Sequence, residues 1–416
     1  METLSRRDFL RATALTAAGP LSAQPPKADN PVKVPARAVT KGPRHHFFGY
    51  YDKTPWDKTG RYLLAMNVEF CDRQPGADDV VNVGMVDLKN RDEWIEFDTT
   101  KTWSWQQGCM LQWLGSAPDR EVIYNVHHKG EPVAVVRDVV AGKVQRLMPL
   151  PIYSVSTDGT QAMTLDFARL HRLRPGYGYA YAKEQFVDDP APEKLGIRWM
   201  DMKTGKNELV VSLKQLAAFQ PDDRFKGAHH WVNHLQFNPG GTRFVFLHRW
   251  KKPEDRSWQT RMFTAKPDGS DLRLLFDDGM ISHFDWRDDT TMLAWARTKA
   301  DGNHFYTADV LSGEKTVLGA DVLSQDGHCS YSPDRKWILN DTYPDKDRMQ
   351  WLMLFKPATG RRYDLNQFHS PKQFTGPIRC DLHPRWNRDG TMVCIDGCHE
   401  PLRQVYILDV SEVVKS

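Results

Sequence analysis

The stretch "HHWVNHLQFNPGGTRFVFLHRW", His229 to Trp250, reads as a strand, a Pro-Gly-Gly turn and a second strand. It holds four histidines, and His234 stands three residues before the aromatic Phe237. Histidine is costly to bury without a partner, so its place at the head of a core hairpin asks for a reason. The same order of strand, polar turn and apolar strand returns along the chain. The other copies are "TPWDKTGRYLLAM" from Thr54, "LQWLGSAPDREVIYN" from Leu111, "YSVSTDGTQAMTL" from Tyr153, "FDWRDDTTMLAWA" from Phe284, "CSYSPDRKWILND" from Cys329 and "PRWNRDGTMVCID" from Pro384. Most are followed by a third strand that closes in a turn, as in "GMVDLKN", "YTADVLSGEK" and "YILDV".

A unit this small cannot bury its own apolar face, but units stacked around an axis bury one another's. The marker residues are Trp56, Trp113, Val155, Phe237, Trp286, Tyr331 and Trp386, and all intervals but one run from 42 to 57 residues. That spacing predicts an all-β chain folded as a seven-bladed β-propeller of four-stranded sheets. The exception, Val155 to Phe237, is nearly double. It is expected to hold one blade boundary and an insertion at about residues 166–196, rich in aromatics and arginine. Eight blades is the alternative, if that insertion is a degenerate blade.

The N-terminus reads differently. "SRRDFLR" (Ser5 to Arg11) precedes the Ala-rich run "ATALTAAGPLSA". Twin arginines before Phe-Leu and a short apolar run read as a twin-arginine export signal over residues 1–23. The run is too short for a permanent membrane span. Residues 24–43, rich in Pro and Lys, read as a linker, and 44–416 as the propeller. The expected location is periplasmic or secreted, with the twin-arginine export machinery as a partner and no membrane span in the mature protein.

Bulk composition narrows the function. The chain has 416 residues, 56 basic and 53 acidic, with a formal net charge of +3. No basic stripe stands out, which argues against nucleic acid as a partner. Fourteen Trp, thirteen Tyr and nineteen Phe suit strands and sugar-stacking surfaces. Six cysteines are too few for a disulfide framework, although one or two bridges could form in an oxidising compartment. "CIDGCHE" (Cys394 to Glu400) has no second Cys pair to make a zinc knuckle and reads as strand cysteines beside a turn.

The opening question is answered by register. Three residues before the marker in the last four blades stand His234, His283, His328 and His383. The first three blades have Lys53, Met110 and Ile152 there. The first strand of each propeller blade lines the central channel, so equal register means equal height around the axis. An arc of imidazoles is expected at one funnel. His234, His283, His328 and His383 are therefore candidate ligands for a divalent metal such as Mn²⁺ or Zn²⁺, with Asp381 or Cys380 as a further ligand. Proton chemistry without a metal is the alternative. His45, His46, Tyr50, Tyr51 and Asp52, the pair Gln106 and Gln107, the pair His127 and His128, Tyr177, Tyr179 and Tyr181, and Arg198 are placed to reach the same funnel.

"FGYYDKTPWD" (Phe48 to Asp57), "NHLQFNPGGTRFVFLHRW" (Asn233 to Trp250), "SHFDW" (Ser282 to Trp286), "GHCSYSPD" (Gly327 to Asp334) and "DLHPRW" (Asp381 to Trp386) resemble exported β-propeller polysaccharide lyases. That group includes oligogalacturonate lyases and ulvan lyases, and the resemblance spans most of the chain after residue 43. It implies β-elimination on an acidic, uronate-containing polysaccharide or oligosaccharide. A cation near the uronate carboxylate stabilises the enolate-like transition state, a His or Tyr removes the C5 proton, and another protonates the leaving O4. The ulvan lyase resemblance assigns Arg198 as carboxylate neutraliser and Tyr181 or Tyr179 as base or acid. His127 or His128 is then its histidine partner, and Gln107 stands where a further histidine is expected. The oligogalacturonate lyase resemblance assigns His234 as base and His283 and His383 as metal ligands. The expected class is a carbon–oxygen lyase. The alternative is a non-catalytic exported propeller that binds a glycan or a partner protein.

Overall fold

The computed structural model describes residues 32–416. The export signal expected over 1–23 lies outside the described residues. The described residues form seven four-stranded antiparallel sheets, so the propeller has seven blades and the eight-blade alternative falls away. Blades 1 to 6 each use four successive strands. Blade 7 takes three strands from the C-terminal end (Arg385–Trp386, Met392–Gly397 and Gln404–Asp409) and its outermost from Ala36–Ala38. Ala36 lies opposite Leu408 and Ala38 opposite Tyr406, which closes the ring. Of the stretch 24–43 read as a linker, the described part from residue 32 onward holds this pairing strand. Val34 and Val39 are buried beside that strand, and Val32 and Val34 donate backbone hydrogen bonds to Asp364 and Leu365 of blade 6. The Pro and Lys residues around them mask a short pairing segment.

The recurring aromatic marker has a physical role. The indole N–H of Trp113 in blade 2 donates to the Pro55 carbonyl of blade 1 at 2.8 Å. Trp286 of blade 5 reaches Gln236 of blade 4, and Trp386 of blade 7 reaches Ser330 of blade 6. Each of these rings fills the space between two sheets and bonds back to the preceding blade. The Asp of the third turn is likewise structural: Asp138 accepts from the Val140 and Ala141 amides, and Asp309 from those of Leu311 and Ser312.

The insertion falls between the second and third strands of blade 3, Gln161–Thr164 and Gly196–Asp201. It opens with a helix, Phe167–Leu173, whose first turn is capped by the Asp166 carboxylate on the Arg169 amide. Arg169 is buried, pairs with Glu184 and donates to the carbonyls of His230 and Pro190. The insertion is thereby locked onto blade 4, over the mouth of the channel.

Blade 1 is closed onto blade 7 by a buried charge network. Asp396 accepts from the amides of Phe48 and Gly49 and pairs with Arg385 at 2.9 Å, with Arg403 at 3.9 Å. Gly49 has φ 120°, and a Cβ there would lie 2.9 Å from the Gln107 carbonyl carbon, so only glycine serves.

Two histidines of the opening hairpin belong to this scaffold. His230 Nδ1 and His248 Nε2 are 2.9 Å apart, and Arg261 donates to His248 Nδ1 at 3.3 Å. That arrangement makes His248 the donor to His230 and keeps both rings neutral. Burial, then the charge of Arg169, lowers the His230 pKa from 6.5 to about 4, and burial holds His248 well below its usual value. A histidine depressed in the folded state stabilises it above the unfolded pKa and loses that contribution as pH falls through the folded pKa. Between pH 6.5 and 4, His230 is expected to remove about 3 kcal/mol of stability, at 1.36 kcal/mol per unit. Urea midpoints measured across that range should fall steeply for the natural chain and less for His230→Asn.

Candidate functional site

Three of the four register histidines, His283, His328 and His383, meet at the hub, and the backbone explains how. The blade 4 pairing shifts between Asn233 and Gln236, and His234 there has φ 53°. Blade 5 shifts between Ile281 and Phe284, and His383 in blade 7 has φ 43°. Bulges of this kind turn one side chain out of the strand's alternation. The rings of His283 and His328 have centroids 4.1 Å apart, and those of His328 and His383 4.3 Å.

His328, Asp381 and His383 bring one ligand atom each to within 4.8 Å of one another, all buried. The His328 Nδ1–H lies 2.9 and 3.0 Å from the two oxygens of Asp341, which leaves Nε2 without a partner among the described residues. A carboxylate behind the imidazole fixes the tautomer and aims the free nitrogen, the usual support of a metal-binding histidine. Burial opposes a charge on His328, but Asp341 outweighs it and the pKa is raised. Among the described residues both ring nitrogens of His383 lack hydrogen-bond partners, and its Nε2 is 3.9 Å from Asp381. Burial, then the neighbouring His328, holds His383 well below its usual pKa, so it offers a neutral lone pair. His283 repeats the pattern, with Nδ1 2.9 Å from Asp326. Orphaned imidazole nitrogens beside a carboxylate suit a divalent cation.

His234 sits apart from this group, on the other side of a tyrosine. The Tyr50 ring stacks on His234 at 4.9 Å and meets His383 edge-on at 5.0 Å. Tyr51 crosses the channel and exchanges two hydrogen bonds of 2.9 Å with the backbone of Phe284 in blade 5. The first strand of blade 1 is interrupted here, between Phe47 and Trp56, and the excursion plugs the channel. At the equivalent positions of the early blades, Lys53 pairs with Asp52, and Met110 and Ile152 are buried. The Tyr153 hydroxyl accepts from the His234 amide at 2.9 Å and from Gln107 at 2.5 Å, and lies 3.5 Å from His234 Nδ1. Gln107 therefore reaches His234 through Tyr153, whereas Gln106 holds the carbonyls of Pro377 and Arg379.

A cavity of about 210 Å³ opens beside these rings, lined by Arg174, Tyr177, His234, Arg249, Trp258 and His283 among others. Arg249 is buried, with Nε and Nη1 unpartnered among the described residues. Burial, then Arg174, lowers its pKa to about 10, so it stays charged at neutral pH. Arg174 lies over the rings of Tyr177 and Trp258, at 4.6 and 4.2 Å. Burial, then Arg249, holds His234 well below its usual pKa, so its ring is neutral. Arg379 donates to the Tyr177 hydroxyl at 2.7 Å. Burial opposes the phenolate, but Arg379 and Arg174 outweigh it and the Tyr177 pKa is lowered.

The other predicted residues gather elsewhere. His127 and Tyr181 meet edge-on at 4.9 Å, with the Tyr181 hydroxyl 2.8 Å from Thr102. His127 and His128 are exposed at the end of their strand. Arg198 hydrogen-bonds Asn207 and lines a separate cavity of about 360 Å³ with Glu131, Lys183 and Lys194. The structure thus brings Tyr181 to His127, but the Arg198 cavity and the hub cavity share no lining residue. Tyr179 belongs to neither: it stacks on Phe167 at 4.3 Å and accepts from Asn125. His45 and His46 also face away, His45 accepting from the Arg403 amide and His46 packing on Trp94. The reading of the sequence missed Arg174, Arg249, Arg379, Asp326 and Asp341.

These features define a seven-bladed propeller whose hub joins a His/Asp ligand group to a cationic cavity. No family model matches the chain, and no curated protein matches it. Among solved structures it is similar to an oligogalacturonate lyase from Vibrio parahaemolyticus, with a TM-score of 0.64 and 14% identity over 91% of this chain and 94% of that one. It is also similar to an oligogalacturonate lyase in complex with manganese, with a TM-score of 0.63 and 14% identity over 94% of this chain and 98% of that one. A prolyl endopeptidase matches at a TM-score of 0.50 and 12% identity, over 88% of this chain and 48% of that one. At these identities the likeness is one of fold. Among the described residues no helix is long and apolar enough to cross a membrane.

Proposed function

We propose that the hub is the active site of a polysaccharide lyase that cleaves uronate-containing glycans by β-elimination outside the cytoplasm. The observation that carries this reading is the pair Arg174 and Arg249. They line one cavity, and neither makes an ion pair among the described residues. Two uncompensated guanidiniums in a half-enclosed cavity call for an anion, and a uronate carboxylate suits the planar fork of arginine.

The remaining groups supply the proton transfers. The neutral His234 ring takes the C5 proton, and the electron pair forms the C4–C5 double bond as the C4–O4 bond breaks. Tyr177, held by Arg379, gives its proton to O4. Arg249 and Arg174 hold the carboxylate, whose charge grows as the proton leaves. A Mn²⁺ or Zn²⁺ ion held by His328, Asp381 and His383, with His283 beside them, would add Lewis-acid stabilisation of that carboxylate. The manganese complex of an oligogalacturonate lyase of like fold supports that choice.

A second reading has its own observation. The edge-on contact of Tyr181 with His127, and a second cavity lined by Arg198, support a reading in which the residues of the ulvan lyase resemblance act at the rim. One assay covers both. Purified protein with Mn²⁺ supplied is given oligogalacturonates or ulvan, and ultraviolet absorbance of the conjugated product is followed. A rising signal with either glycan is expected. No absorbing product from either would overturn the lyase reading. Arg249→Leu is expected to abolish the signal if the hub is the site, and Arg198→Ala if the rim is.

A further inference from the structure

Blade 7 places two cysteines face to face. Its inner strand pairs Arg385 with Cys394 and Trp386 with Val393. Beyond the left-handed turn at His383, pairing resumes with the Asp396 amide donating to the Leu382 carbonyl at 2.9 Å. Extended two residues further, that register would set Cys380 across from Cys398, and the two cysteine side chains lie within hydrogen-bonding reach of each other. The packing agrees: both are buried and share one apolar cluster with Phe374. Opposed residues of an antiparallel pair have Cα atoms about 4.5–5.5 Å apart. That lies within the range of about 4.4–6.8 Å a disulfide spans without moving the backbone.

The remaining cysteines lack such a match. Cys109 contacts the Met66 sulfur, Cys329 packs among Leu293, Tyr331 and Met353, and Cys394 lies opposite Arg385 and Ile407. Only Cys71, half-buried, also packs against the pair. All six are thiols in the structure.

We propose that Cys380 and Cys398 are a disulfide site, closed when the folded chain meets a low-molecular-weight disulfide oxidant. One thiolate attacks the oxidant's S–S bond and releases one oxidant thiol. The other cysteine then attacks the mixed disulfide and releases the second. Two S–H bonds are lost and one S–S bond forms, and the two electrons reduce the oxidant's disulfide to two thiols. The bridge ties the turn after Gly397 to the segment that carries Arg379 and Asp381, so the hub's cationic and acidic groups gain a covalent brace. It also constrains the unfolded chain, which raises stability. The site suits a chain that works in an oxidising compartment.

The test needs no substrate. Protein prepared under reductant is incubated, folded, with glutathione disulfide, then denatured, alkylated and mapped by mass spectrometry. The expected product is lighter by two hydrogens, carries one Cys380–Cys398 peptide link, and unfolds at a higher temperature than the reduced form. Cys71→Ser should keep both changes and Cys398→Ser should lose both. Six alkylatable thiols after oxidation, or a link made by Cys71 instead, would overturn the proposal, and mapping of the natural chain alone decides this if a variant does not fold.

Discussion

His234→Asn is expected to lower the lyase rate by about 10²–10⁴-fold, the usual contribution of a positioned general base, and to leave thermal unfolding where it is. Asparagine is the chosen replacement because His234 has φ 53°, and asparagine tolerates that left-handed backbone. The substitution removes a neutral imidazole that lines the cavity together with Arg249 and Arg174. It keeps the amide that bonds the Tyr153 hydroxyl, so the support from Gln107 survives. A propeller that only binds a glycan or a partner protein would be indifferent to this change. Full activity in His234→Asn, paired with loss in Arg198→Ala, would move the chemistry to the rim.

The largest expected loss of stability lies far from that ring. Asp396→Ala should cost about 3–5 kcal/mol, the usual effect of removing one partner from a buried ion pair. Arg385 and Arg403 are both buried beside it, and each also lies over an aromatic ring, Phe48 and Phe47 at 5.1 and 5.2 Å. Without the carboxylate, the guanidiniums stay in place uncompensated, and the amides of Phe48 and Gly49 lose their acceptor. A domain is stable by only about 5–15 kcal/mol, so the loss should be plain in the urea midpoint. Asp396→Asn, which keeps an acceptor, should fall between. Equal midpoints for all three chains would show that the junction of blades 1 and 7 does not depend on this network.

Much of this was legible in the sequence for a physical reason. A propeller repeats one unit, so the aromatic that bonds back to the preceding blade returns at nearly even spacing, and a channel-lining position returns with it. The histidine register was a consequence of that repeat. What the repeat could not show is how the other blades fill the channel. Tyr50 and Tyr51 do so by an excursion that breaks the pattern. Arg249 was hidden in the opening hairpin itself. It follows His248, and alternation along the strand sends the two side chains to opposite faces, one to the scaffold and the other to the cavity. Asp341, the support of His328, lies thirteen residues away on the neighbouring strand, a pairing that only the fold reveals. The closing strand at Ala36–Ala38 escaped because its partner comes from the far end of the chain.

The claim on which the rest depends is that the wheel turns a repeated sequence position into one cation site. The direct measurement is the metal content of purified protein after incubation with Mn²⁺ or Zn²⁺ and removal of free ion, for the natural chain and for His328→Ala. One tightly held divalent cation per chain is predicted, lost in His328→Ala with the propeller still folded. A natural chain that retains neither ion, or a His328→Ala chain that retains it in full, would contradict the account.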